Sequence, residues 1–181
     1  RIDLYTERYS EAATSAEAVM NLEGAHGFSL HPDYEELFQL PGEGSSEILL
    51  AVPHKDGYFT SALPREIGSR NRGSWARLIP TQSMIDSYEA SDGLPIDESL
   101  VYSPKQPFEN RGPRLKASVI TPQSEWAGLI FESHPDSLTF RNVDGTEAGA
   151  NRDCWNVSWP AAFCGYLWRK NNDEVSQIAV R

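Results

Sequence analysis

The chain has 181 residues, 39% hydrophobic and 23% charged, with 16 Lys and Arg against 26 Asp and Glu. A net charge of −10 argues against nucleic acid or an anionic membrane surface as the main partner. No apolar run approaches the roughly 20 residues of a membrane-spanning helix.

Residues 4–22 carry the clearest helical pattern. Tyr5, Tyr9, Ala12, Ala13, Ala16, Val19 and Met20 recur at three and four, with Glu7, Arg8, Glu11 and Glu17 on the other face. The alanines predict close approach of a neighbouring helix. His31-Pro32-Asp33 opens a second short helix with Tyr34, Leu37 and Phe38 inward. Glu47 to Val52 is a short apolar run ended by Pro53, and reads as a buried strand or extended segment. From His54 to Ile79 periodicity fades. Tyr58, Phe59, Trp75 and the arginines 65, 70, 72 and 77 stand among Gly, Ser and Pro. Such a long loop is usually functional or disordered, and its aromatic residues favour order.

Pro80 to Glu98 is a marked helix and turn. Thr81 is the expected N-cap, Met84, Ile85 and Tyr88 the apolar face, and Gly93 the expected stop at φ > 0. Tyr102 to Pro113 reads as extended. Lys116–Ile120 reads as a strand, and so do 129–131 and 138–140, which flank a turn at His134-Pro135-Asp136. Asp144-Gly145-Thr146 is another turn. Trp126, Trp159, Tyr166 and Trp168 read as structural. Cys154 and Cys164 allow either one disulfide or two buried thiols, and their spacing is not that of a metal site.

Several blocks resemble, in order, the SusD/RagB family of outer-membrane nutrient-binding lipoproteins of Bacteroidetes. They are Asp33-Tyr34-Glu35-Glu36-Leu37-Phe38, Ser46 to Val52, Pro80-Thr81 to Tyr88 with Asp92-Gly93-Leu94-Pro95-Ile96, Asn110-Arg111-Gly112-Pro113-Arg114-Leu115, Trp126-Ala127-Gly128, and Gly165-Tyr166 with Arg169-Lys170. The family's Asp in the fourth block is Gly112 here, so that loop must be held in another way. The resemblance implies a mainly α protein built on tetratricopeptide-like helix pairs. Residues 1–40 would be its helical part and 41–181 a loop-rich part with short helices and strands. Flanking helices are expected beyond both ends, and the chain reads as an excerpt. The resemblance further implies a lipid-anchored lipoprotein at the cell outer membrane. It would act in polysaccharide utilisation, delivering a glycan to a SusC-type TonB-dependent transporter, with no cofactor and no catalysis.

Flat aromatic rings stack on the C–H faces of sugars, while Arg and Asn bond the hydroxyls. Tyr58, Arg70, Asn71, Arg72 and Trp75 have this chemistry on a loop, and Trp155 has it further on. The same Trp75 would serve equally to pin the loop to the core. Asp92, Asp97 and Glu98 offer oxygens, but there is no calcium-loop pattern, so they read as turn and solvent acids. The four histidines make no metal motif, and neither a nucleophile elbow nor a phosphate loop is present. Within binding proteins the alternative is a peptide-binding RagB-like member. The alternative of another class is a secreted glycoside hydrolase, which would need two carboxylates held in a cleft.

Overall fold

A computed structural model describes residues 8–22, 26–54, 61–154 and 165–174. Among them are four α-helices: α1 (Tyr9–Met20), α2 (Leu63–Ile67), α3 (Gln82–Asp86) and α4 (Pro113–Ser118). Only α1 exceeds six residues. Six short strands follow: β1 (Val119–Ile120), β2 (Glu125–Trp126), β3 (Leu129–Ile130), β4 (Thr139–Asn142), β5 (Glu147–Ala150) and β6 (Leu167–Trp168). β1 pairs with β6, and β2 to β5 form a four-stranded antiparallel meander. The expectation of a mainly α chain is thus overturned. With 12 Pro and 13 Gly in the sequence, apolar runs are interrupted before a second long helix can propagate.

The β1–β6 ribbon divides two apolar clusters. Successive strand residues point to opposite faces. Ile120 and Leu167 therefore join Ala76, Trp126, Ala127, Leu129 and Phe131 on one side. Val119 and Tyr166 join Ile85 and Leu115 on the other. Trp126 and Tyr166 are buried, in keeping with a structural role.

Local chemistry accounts for much of the rest. The Thr81 hydroxyl accepts from the Met84 amide and caps α3, as its position predicts. The helix stops at Asp86, however, and Gly93 (φ 79°) belongs to a separate turn closed by Ala90 and Leu94. Asp33 Oδ1 accepts from the amides of Glu35 and Glu36, opening a 3₁₀ turn at Glu36–Phe38 that buries Leu37.

Three further expectations change. The run from Glu47 to Val52 forms no strand, and Leu49, Leu50 and Val52 are exposed. The predicted strand at 116–120 begins as helix α4, because Pro113 sits at its first turn, where a missing N–H costs nothing. Helix α1 has no buried residue, so the apolar stripe of the sequence meets no partner within the described residues.

Candidate ligand-binding surface

The Trp75 loop is built on two short helical turns. α2 is followed by its cap Gly68, and a 3₁₀ turn runs from Arg70 to Arg72, capped by the Ser69 hydroxyl accepting from the Asn71 amide. The chain then doubles back. The amides of Trp75, Ala76 and Arg77 donate to the carbonyls of Arg65, Gly68 and Glu66. Ala76 takes a left-handed φ of 48° and is fully buried in the core. Trp75, its neighbour, is 37% exposed. The strained alanine and the outward indole are two sides of one turn.

A buried carboxylate holds this loop from a distant part of the chain. Asp153 accepts from the Ser69 hydroxyl at 2.5 Å and from the Arg70 amide at 2.8 Å. Burial pushes its carboxyl above the ordinary range, while the Ser69 hydroxyl and the Arg70 and Asn71 amides pull it back. Beside it, the Asn71 side-chain amide donates to Asn151 Oδ1 at 2.9 Å and accepts from the Arg152 amide at 2.8 Å. Asn151 donates in turn to the carbonyls of Glu132 and Ser137. These partners lie some 80 residues apart in sequence, and no local pattern announces them.

The loop's cations are placed with equal definition. The guanidinium groups of Arg65 and Arg77 lie 4.2 and 4.1 Å from the Trp75 ring centre. Arg77 also donates to Glu66 from Nε at 2.7 Å. Arg72 is half-buried beneath the β2–β3 turn, where a Cβ added at Gly128 would stand 3.1 Å from its Nη2. Arg70 is half-buried, with a buried Nη1 that finds no acceptor among the described residues. Thus, of the residues singled out for ligand contact, Trp75 is presented outward between two arginines, and Asn71 spends its amide on the scaffold. Tyr58 and Trp155 lie outside the described residues.

The acidic residues at 92–98 form no paired site. Asp92 accepts from the Leu94 amide and the Ser99 hydroxyl, and Asp97 and Glu98 are exposed. Among the described residues no group of three or more His, Cys, Asp or Glu is arranged to hold a metal. Cys154 is a buried free thiol, and Cys164 lies outside the described residues. No described helix is long and apolar enough to cross a membrane.

Two solved structures share this fold. A SusD-like carbohydrate binding protein from Bacteroides fragilis NCTC 9343 superposes with a TM-score of 0.71 at 21% identity, over 93% of this chain and 31% of its own. A SusD-like protein from the same strain superposes with a TM-score of 0.63 at 22% identity, over 97% of this chain and 35% of its own. The chain therefore spans about a third of the length of these proteins. No individually curated protein matches it. The SusD family model matches residues 48–179, which include the Trp75 loop, the buried Asp153 network and both sheets. This chain belongs to the SusD family.

Proposed function

We propose that the chain is part of a non-catalytic cell-surface protein that binds a glycan and passes it to a SusC-type TonB-dependent transporter. The observation that carries the reading is Trp75. It is a partly exposed indole on a loop immobilised from beneath by Asp153 and Asn71, with two guanidinium groups at its ring. The two guanidinium groups lie over the ring and fix it in place, and they supply donors for sugar hydroxyls beside the part of the indole that stays exposed. Family membership and the carbohydrate-binding relative support the ligand class. Tyr58, Arg70, Arg72 and Trp155 are proposed to complete the surface. The outer-membrane location, the lipid anchor and the transporter partner belong to the same proposal, and rest on the family alone.

The test is calorimetry of the full-length protein against a panel of polysaccharides and peptides. Saturable binding of a glycan, weakened by Trp75→Ala, supports the reading. Binding of peptides only would replace it with the RagB-like alternative. Release of reducing sugar by the pure protein would replace it with the hydrolase alternative.

A further inference from the structure

Away from Trp75, an open cleft of about 460 Å³ lies where the end of α3 meets the start of α4. Its walls include Tyr34, Ser87, Tyr88, Glu89, Gly112 and Arg114. Tyr34 and Tyr88 are half-buried, each with its ring held by packing. Tyr88 rests on the Ile85–Leu115 cluster, and Tyr34 meets Phe38 edge to face at 5.3 Å.

The charges around this cleft are unusual for so acidic a chain. The Arg114 guanidinium lies 5.5 Å from the Tyr34 ring centre. Lys170 Nζ lies 5.1 Å from the same centre and donates to the Tyr34 hydroxyl at 3.1 Å. Among the described residues neither cation has a carboxylate partner, although acids exceed bases by ten. The Lys170 ammonium also pulls the Tyr34 hydroxyl below its ordinary titration range, a sign of positive potential at this end. Glu89 is exposed at the cleft with no side-chain partner among the described residues. The cleft therefore has a cationic end with an aromatic ring and an end rich in acceptors.

Gly112 keeps it open. Gly112 contributes only backbone to the lining, and its amide donates to the Glu89 carbonyl at 2.9 Å. A Cβ added there would stand 3.3 Å from that carbonyl oxygen. An aspartate at this position would set a carboxylate two residues from Arg114.

We propose that this cleft is a second carbohydrate subsite, selective for a uronic acid residue. The Tyr88 ring takes the C–H surface of the sugar, and Tyr34 holds Arg114 and Lys170 at the cationic end. Arg114 binds its carboxylate, which a planar guanidinium can hold by two parallel bonds. Glu89 and the Ser87 hydroxyl oxygen, whose proton goes to the Met84 carbonyl, accept from its hydroxyls, and Glu89 repels the carboxylate from that end. The proposal rests on the glycan-binding reading but not on Trp75.

Calorimetry of the full-length protein tests it, using trimers of galacturonate, glucuronate and alginate together with their methyl esters. The esters keep the sugars and remove the charge. At least one acid trimer should bind, and its ester should bind about tenfold more weakly or worse. Arg114→Gln and Gly112→Asp should each erase that preference, with melting temperatures unchanged for the exposed Arg114 site. Equal affinity for acid and ester, or a preference that survives Arg114→Gln, overturns the subsite, including the case in which other parts of the polypeptide fill the cleft. Binding of neutral glycans alone overturns the subsite but leaves the glycan-binding reading standing. If no glycan of either kind binds, both fall.

Discussion

The guanidinium of Arg111 donates to the carbonyl of Ile85 at 2.5 Å across 26 residues of sequence. It also donates to the carbonyls of Tyr88 and Pro107, both at 2.9 Å. Arg111 is 5% exposed, so one buried side chain ties the Ile85 carbonyl of α3 and the Tyr88 carbonyl just beyond it to the Pro107 carbonyl of its own segment. Arg111 and the Gly112 amide, which bonds the Glu89 carbonyl, hold the loop around Gly112. Lysine keeps the charge but cannot reach three acceptors in a planar fork. Arg111→Lys should therefore cost about 1–3 kcal/mol in urea unfolding of the full-length protein. A loss within error of zero would show that the fork is not needed.

Asn151 is fully committed. Its two N–H groups donate to Glu132 and Ser137, and its oxygen accepts from Asn71 and the Asp153 amide. Replacement by alanine strands several buried groups at once. Asn151→Ala should destabilise the fold by roughly 2–4 kcal/mol. With Asn71→Ala as the partner, a double-mutant cycle should give a coupling of about 0.5–3 kcal/mol, whereas additive losses would argue against a shared network.

Asp153 gives the network a pH dependence. Its folded-state value is raised by burial above the unfolded value of about 3.9. The folded state therefore holds this proton more tightly than the unfolded state. The stabilisation is full below the unfolded value and is lost as pH rises through the folded one. Asp153→Asn has no such proton. The stability of the wild type relative to this variant should fall as pH rises from about 4 towards neutrality. A difference that stays flat, or grows, across that range would contradict the raised value.

The β2–β3 hairpin turns on two residues, Ala127 at φ 49° and Gly128 at φ 74°. Tight two-residue hairpins need such positive values because their twist matches that of the strands. Gly128 also faces Arg72, so a side chain there meets both backbone strain and a close neighbour. Gly128→Ala should lower stability by about 1–2 kcal/mol in thermal or urea unfolding. Ala127→Gly should be neutral or mildly stabilising, since it relieves the same strain.

Trp75→Ala should weaken glycan affinity of the full-length protein by roughly 1–3 kcal/mol, read by calorimetry. Trp75→Phe should retain part of it. Unchanged affinity in the alanine variant would assign the ring to holding the loop, through Arg65 and Arg77, rather than to the ligand.

Much of the local structure was legible in the residues. The Thr81 cap, the Asp33 turn, the Asp144-Gly145-Thr146 turn between β4 and β5, and the approximate places of β3 and β4 follow from short-range chemistry. The family, too, was visible in ordered blocks. Several of these blocks now have a physical reason. Trp126-Ala127-Gly128 is the tight hairpin with its core residue. Arg169 and Lys170 reach back to Glu35 and Tyr34.

What the sequence determined by itself was the set of caps and turns, the acidic charge and the chemistry available on the 54–79 loop, because these depend on residues a few positions apart. Tertiary structure alone decided that Glu47 to Val52 is not a strand and that its residues 49–52 are exposed, and that Asp153 and Asn151 clamp the Trp75 loop. It also decided that Tyr34, Tyr88 and Arg114 share one cleft. Apolar runs and polar side chains take their meaning from partners brought close by folding, and partners tens of residues away leave no periodic trace.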